Sequence, residues 1–144
     1  MATRTARTAW NGTLQEGAGQ VELTSSGSGT FDVSFPRRTA DKAEGTSPEE
    51  LIAAAHSSCY SMALSGEIAG AGGTPIALEV TADVTLAPDP VGGLHISLIH
   101  LTVRGEVEGL DAAGFEAAAQ AAKVGCPVSK ALAATTITLD ASLA

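Results

Sequence analysis

The residues best suited to chemistry in this sequence are its two cysteines, Cys59 and Cys126. Cys59 lies in SPEELIAAAHSSCYSMAL (47–64), and Cys126 lies in VGCPVSKAL (124–132). Two thiols that folding brings together can cycle between a dithiol and a disulfide. Their separation of 67 residues is not a CxxC spacing, and two cysteines with three scattered histidines match no zinc signature. The pair therefore indicates thiol redox chemistry rather than a metal site.

The sequence places these cysteines in different electrostatic settings. Cys126 is predicted at the N-cap of a helix whose first position is Pro127, where free backbone N–H groups would lower the pKa of its thiol. Cys59 lies about twelve residues inside its helix, beyond the reach of the helix dipole. It needs a side-chain cation to become a nucleophile, and the adjacent Arg37 and Arg38 are the candidates.

His56, three residues before Cys59, allows two interpretations. It can act as a base, or it can be a core histidine with satisfied hydrogen bonds, which is the commoner case. A cysteine hydrolase using Cys59, His56 and an acid stays open. A histidine on the same helix is poorly placed for that role, and the sequence has no G-x-S-x-G, phosphate-loop or H-E-x-x-H motif.

The start of the helix that carries Cys59 is marked by its capping residues. Ser47 is predicted as the N-cap, Pro48 takes the first position, and Glu50 can complete a capping box. This arrangement engages Glu50 and leaves Glu49 free for another role. The simpler alternative is that Glu49 is a surface glutamate favoured by the helix dipole.

The element order predicts an α+β fold in a single domain of residues 1–144, with antiparallel sheets and a long buried helix. The helix that carries Cys59 is apolar or small almost all round, as buried helices are. The predicted elements are a hairpin or three-stranded β-meander over 10–35, a helix over 47–70, a hairpin of strands 76–87 and 94–107, helices over 111–124 and from 126, and a closing strand over 135–143.

The composition of the chain limits the partners that the protein can bind. The net charge of −8 argues against nucleic acid and anionic membrane surfaces, because both require a basic patch. No stretch approaches the length of a membrane span, and the N-terminus lacks the apolar core of a secretory signal. We therefore expect a cytosolic location, in which cysteines are reduced or catalytic rather than structural.

Two stretches resemble a known family. GTSPEELIAAAHSSCYSMALS (45–65) and AAKVGCPVSKAL (121–132) closely resemble the two cysteine motifs of the OsmC/Ohr thiol-dependent peroxidases, and of the OsmC branch in particular. The element order also fits, so the resemblance covers nearly the whole chain. It implies an OsmC-like fold, an intertwined homodimer and reduction of organic hydroperoxides, with hydrogen peroxide as a further possible substrate.

The resemblance also implies a role for each site residue. Cys59 corresponds to the peroxidatic cysteine, Cys126 to the resolving cysteine, and Glu49 to the catalytic glutamate. SFPRR (34–38) places the catalytic arginine at Arg38, with Arg37 beside it as the alternative. No metal or flavin is implied, and the implied reductant is a lipoyl-type dithiol. The resemblance overrules the local electrostatics, which favour Cys126 as the more acidic thiol.

Helix geometry predicts how such a site would be completed. Glu49 and Cys59 are ten residues apart, about 15 Å along one helix axis. An antiparallel crossing of two such helices would place Glu49 of one chain beside Cys59 of another. We therefore expect a homodimer whose two sites each draw on both chains. One alternative function is a redox-sensing or small-hydrophobe-binding module without turnover. The other, ranked below it, is a structural domain with two inert cysteines.

Overall fold

The computed structural model describes all residues, Met1–Ala144. The chain forms two compact units, Met1–Leu51 and Ile52–Ala144. The prediction of a single domain stays a prediction. The elements in chain order are β1 (Arg7–Asn11), β2 (Ala18–Glu22), β3 (Thr30–Val33), α1 (Phe35–Arg38), α2 (Pro48–Gly70), β4 (Thr74–Pro88), β5 (Leu94–Glu108), α3 (Ala112–Gly125), α4 (Pro127–Ala131) and β6 (Thr136–Leu143).

The first unit contains the predicted β-meander, in which β1, β2 and β3 pair in sequence order and antiparallel. Trp10 on β1 lies opposite Gly19 on β2. A Cβ atom at Gly19 would lie 2.5 Å from the Ala9 carbonyl oxygen and 3.0 Å from the Trp10 ring, so the absence of a side chain there permits the close approach of β1. The meander leads into α1 and the first turn of α2.

The predicted elements do not include the short helix α1, because the charged stretch after Phe35 has no apolar periodicity. The Ser34 side chain accepts a hydrogen bond from the backbone N–H of Arg37 at 3.4 Å, and Pro36 lies in the first turn. These are the same signals that start α2: a serine N-cap followed by proline at an early helical position. The turn fixes the backbone that carries Arg38.

The second unit packs helices on a three-stranded sheet in the order β4-β5-β6. The long hairpin of β4 and β5 is antiparallel, as predicted. The closing strand β6 pairs with β5 in parallel, so this sheet is mixed. Strand pairing across that distance in sequence is set by the path of α3 and α4, which no local pattern encodes.

The core of the second unit is built around α2, α3 and β5. The face of α2 that carries Tyr60, Leu64 and Ile68 is fully buried. Phe115 of α3 packs against Gly105 of β5, where a Cβ atom would lie 2.7 Å from its ring. Small residues complete the contact; the other buried residues of α3 are Ala118, Ala119 and Ala122.

Only one side of α2 is buried within the chain. On the other side Ala54, Ala55, Ser58 and Met62 are exposed, and Met62 retains 74 % of its accessible surface. An apolar side chain this exposed has no packing partner within a single chain.

Candidate active site

The first pair of candidate residues, Arg38 and Glu49, forms a multidentate ion pair. Arg38 Nη2 lies 2.6 Å from Glu49 Oε1, and Arg38 Nε donates to Oε1 at 3.0 Å and to Oε2 at 3.2 Å. Glu49 is buried, whereas the Arg38 side chain keeps a third of its surface exposed. Hydrogen bonds between charged groups in this fork geometry fix the guanidinium in direction as well as position.

The capping residues of α2 explain why Glu49 is available. Ser47 Oγ accepts a hydrogen bond from the backbone N–H of Glu50 at 3.2 Å, as expected of the N-cap. The Glu50 carboxylate accepts from Thr46 Oγ1 at 2.6 Å instead of closing the expected capping box on Ser47. Glu50 is thus engaged locally, and Glu49 points to Arg38. Arg37 is exposed and makes no salt bridge.

The second pair, Cys59 and Cys126, consists of free thiols whose sulfur atoms lie 3.1 Å apart. Cys59 is half-buried on α2, and Cys126 is fully buried between α3 and α4. The Tyr60 hydroxyl donates to the Ala119 carbonyl at 2.9 Å and so fixes α2 against α3 beside the thiols. Burial raises the pKa of Tyr60 well above its usual range, which keeps it neutral.

The pKa values of the two thiols are shifted in opposite directions. Burial and the hydrogen bond with Cys126 raise the pKa of Cys59. Burial also acts to raise the pKa of Cys126, but the Ser129 backbone N–H, the Cys59 thiol, the Ser129 hydroxyl and the Val128 N–H together lower it. Within one chain, negative charge is therefore more stable on Cys126, in agreement with its predicted N-cap setting.

Ser129 is a site residue that the sequence analysis missed, and His56 is one whose role it left open. Both are buried, and His56 Nε2 lies 2.7 Å from Ser129 Oγ. Burial lowers the pKa of His56, so the ring is neutral near pH 7. The available signal for Ser129 was its position three residues after the capping Cys126. Its contact with His56, 73 residues away, leaves no local pattern.

An apolar cavity of about 530 Å³ lies beside Arg38 in the first unit. It is lined by the meander and by the residues around α1 and the start of α2. Its lining is largely hydrophobic, with Arg38 as its charged residue: Thr8, Trp10, Leu14, Val21, Val33, Ser34, Phe35, Arg38, Pro48 and Leu51. A cavity of this kind suits a small molecule with an apolar body and one polar end.

No three side chains among His, Cys, Asp and Glu are clustered in a way that would bind a metal ion. None of the helices combines the length and hydropathy required to cross a membrane.

Sequence comparison relates the chain to known proteins. Residues 40–141 match the family model described as OsmC-like protein. Peroxiredoxin OsmC of Escherichia coli (strain K12) is 44 % identical over 135 residues, which cover 93 % of this chain and 92 % of that protein. Organic hydroperoxide resistance protein OhrA of Bacillus subtilis (strain 168) is 34 % identical over 103 residues, or 70 % of this chain and 71 % of that protein.

Structural comparison agrees. The organic hydroperoxide resistance protein OhrB of Bacillus subtilis matches with a TM-score of 0.75 at 28 % identity, covering 96 % of this chain and 98 % of that one. An organic hydroperoxide resistance protein from Elizabethkingia anophelis has the same fold, with a TM-score of 0.80 at 24 % identity over 100 % of this chain and 98 % of that one.

Proposed function

Because the chain belongs to the OsmC-like protein family and is a peroxidase, we propose that it reduces organic hydroperoxides to alcohols and water through Cys59 and Cys126. The observation that carries this proposal is the separation of 3.1 Å between the two sulfur atoms, both present as free thiols. The two atoms need little movement to form a disulfide, and one of them is accessible enough to meet a substrate.

The proposed cycle begins at Cys59. Its thiolate attacks the distal oxygen of the hydroperoxide, so that a sulfur–oxygen bond forms, the O–O bond breaks and the alkoxide takes up a proton to leave as an alcohol. The resulting sulfenic acid condenses with Cys126, releasing water and leaving a Cys59–Cys126 disulfide. An external dithiol, for which a lipoyl-type compound is our candidate, then restores both thiols. A cytosolic location would suit this cycle, because thiols stay reduced there.

Arg38 and Glu49 supply the charge that Cys59 lacks in this scheme. Cys59 has a raised pKa within its own chain, so a guanidinium near its sulfur would favour the thiolate and polarise the peroxide. Glu49 engages Nε and Nη2 of Arg38 and leaves Nη1 available. The role of Glu49 is to hold the guanidinium in one orientation.

A homodimer would bring these pairs together. Glu49 and Cys59 lie ten residues apart on the continuous helix α2, which separates them by about 15 Å along the axis. The exposed face of α2, with Ala54, Ala55, Ser58 and Met62, would let a second copy of the helix approach closely. Each site then combines the thiol pair of one chain with Arg38 and Glu49 of the partner subunit.

The cavity beside Arg38 supports an organic rather than a purely inorganic substrate. Its apolar lining would accept the alkyl or aryl group of a hydroperoxide while the peroxide group remains near the guanidinium. Hydrogen peroxide has no apolar group to bury there. We therefore expect a higher kcat/KM for bulky organic hydroperoxides than for hydrogen peroxide.

Thiol titration tests the proposal. The reduced protein should show two free thiols per chain, and one equivalent of cumene hydroperoxide should remove both as an intramolecular disulfide forms. Dihydrolipoamide should then support steady peroxide consumption. Thiols that persist in the presence of peroxide would contradict the proposal. A single oxidation without turnover would indicate a redox-sensing module instead.

A further inference from the structure

The hydrogen bond between His56 and Ser129 lies one helical turn from the thiol pair and has no part in the cycle described above. His56 precedes Cys59 by three residues on α2, and Ser129 follows Cys126 by three residues in α4. His56 Nε2 lies 2.7 Å from Ser129 Oγ, and the two sulfur atoms lie 3.1 Å apart. The earlier residue of each segment meets the later residue of the other. The two segments therefore run antiparallel and meet at two points, about 4.5 Å apart along α2.

Ser129 is what anchors α4 in the core. This helix has only five residues, Pro127–Ala131, and Ser129 is the one among them that is buried. Val128 and the following Leu132 are only partly buried, whereas four buried side chains hold α3. A helix of little more than one turn has almost no stability of its own. The position of the segment that begins at Cys126 therefore depends strongly on the polar contact made by Ser129.

The contact has one direction and no alternative. His56 is fully buried, makes no other hydrogen bond, and its Nδ1 is without a partner. A proton on Nδ1 would be a buried N–H group without an acceptor, which is rarer in proteins than an unpartnered acceptor. The proton is therefore on Nε2, which donates to Ser129 Oγ. Separation of the two side chains would leave both ring nitrogens and the hydroxyl buried without partners, which is costly.

We propose that His56 and Ser129 are positioning residues whose hydrogen bond holds Cys126 against Cys59 and so sets the effective concentration of one sulfur atom at the other. This inference deepens the proposed function and rests on it for the roles of the two cysteines. A link one turn away restricts how far the sulfur atoms can separate while both are thiols. Formation of the disulfide then costs little further entropy.

The consequence for the cycle concerns the Cys59 sulfenic acid, which has two fates. Attack by Cys126 forms the S–S bond, breaks the S–O bond and releases water, so that the cycle continues. Reaction with a second hydroperoxide instead forms another S–O bond, breaks the O–O bond and releases an alcohol. The product of that reaction is a sulfinic acid, which thiols do not reduce. By keeping Cys126 in contact, the hydrogen bond favours the first fate and protects Cys59 from inactivation.

The redox equilibrium of the thiol pair measures this positioning without peroxide. The protein and its variants are equilibrated with mixtures of reduced and oxidised dithiothreitol, and free thiols are counted by mass spectrometry after acid quenching and alkylation. Ser129→Ala and His56→Leu each remove one partner of the hydrogen bond. We expect each to lower the equilibrium constant for disulfide formation by about tenfold, the order of one buried hydrogen bond. A tenfold change is a shift of about 30 mV towards easier reduction.

Each of these variants has a matched control. Ser129→Thr keeps the hydroxyl, and the added methyl group has room because Ser129 borders a cavity of about 480 Å³. His56→Gln keeps an N–H group near the position of Nε2. Both controls should restore the equilibrium constant of the native protein. Restoration by the conservative variant would not follow from a general loosening of the core.

The double variant with His56→Leu and Ser129→Ala separates positioning from stability. It removes both polar groups, so neither is left buried without a partner, and its stability should recover relative to the single variants. Its equilibrium constant should stay as low as theirs, because two residues that act through one bond are not additive. If a single variant does not fold, the double variant supplies the same comparison. Recovery of both quantities would overturn the proposal and show that the pair only satisfies its own buried groups.

Peroxide then tests the protective role. With excess cumene hydroperoxide, Ser129→Ala should lose activity within fewer turnovers than the native protein, and mass spectrometry should find Cys59 as a sulfinic acid. In a Cys126→Ser background, Ser129→Ala should leave the rate of sulfenic acid formation unchanged. An unchanged dithiothreitol equilibrium in folded Ser129→Ala would overturn the proposal, and a shift there without one in His56→Leu would contradict the role of His56. Failure of the proposed peroxidase function would appear separately, as absent sulfenic acid, since the dithiothreitol equilibrium involves no peroxide.

Discussion

The ion pair in the first unit and the thiol pair in the second are assembled by different means. Arg38 and Glu49 are 11 residues apart in sequence, and two serine-capped helix starts bring them together. Cys59 and Cys126 are 67 residues apart, and the packing of α2 against α3 brings them together. The first pair consists of charges held by hydrogen bonds, and the second of free thiols among apolar core residues.

This difference determines what each pair can do by itself. The ion pair presents a fixed guanidinium but contains no nucleophile. The thiol pair contains a nucleophile, but its surroundings raise the pKa of Cys59 and favour charge on Cys126. Each unit therefore holds a part of the proposed chemistry that the other lacks.

The largest effect is expected at the thiol pair. Cys59→Ser should abolish peroxide reduction because it removes the nucleophile. Cys126→Ser should react once and accumulate a sulfenic acid that dimedone traps, but it should form no intramolecular disulfide. Mass spectrometry and coupled turnover assays distinguish the two variants. Turnover near the native rate in Cys59→Ser would reverse the roles assigned here.

At the ion pair, Arg38→Ala should lower kcat/KM by about 100-fold, because it removes charge stabilisation from the transition state. It should also raise the pKa of Cys59, measured by thiolate absorbance in a Cys126→Ser background. Arg37→Ala is the matched control and should change neither quantity, since Arg37 is exposed and makes no salt bridge. The opposite result would move the catalytic role to Arg37.

A smaller effect is expected from the acidic partner. Glu49→Gln keeps the shape of the side chain but weakens the hold on Arg38, so kcat/KM should fall by about tenfold. The neighbouring Glu50→Gln weakens only the hydrogen bond from Thr46 and should change the rate by less than about twofold. Equal losses in both variants would show that the charge of the helix start matters rather than the orientation of Arg38.

The smallest effect concerns stability and pH. Burial lowers the pKa of His56 below its ordinary value of 6.5, so below that pH the unfolded chain binds a proton that the folded chain excludes. The free energy of unfolding should therefore decrease as the pH falls from about 7.5 to about 5. His56→Gln should make this decrease shallower in urea denaturation. An unchanged slope would show that His56 is not the buried group responsible.

The local features of this site could be predicted from the sequence, whereas few of its long-range contacts could. Ser47, Pro48 and Glu50 indicated where α2 begins and why Glu49 is free, because capping depends on neighbours within one turn. The serine and proline at the start of α1 carry the same signal, but the charged residues that follow them lack the apolar periodicity that predicts a helix. The sequence leaves the choice between Arg37 and Arg38 open because the two arginines are adjacent in the motif.

Long-range contacts could be predicted only from the resemblance to a family. No periodicity placed Cys126 against Cys59 or Ser129 against His56, because such contacts depend on how α3 and α4 pack. The parallel pairing of β6 with β5 was not predicted from the sequence, for the same reason. The apolar character of α2 predicted that all of its faces are buried, but one face is exposed in the single chain. That face is what a second chain would cover.

The central claim, that each active site combines the thiol pair of one chain with the ion pair of its partner, is tested most directly by mixing two inactive variants. Cys59→Ser and Arg38→Ala are unfolded together and refolded. A mixed dimer would hold one site with both defects and one intact site. Random reassortment makes half of the dimers mixed, so about a quarter of the native activity should return. No recovery despite confirmed subunit exchange would show that each site is built within one chain.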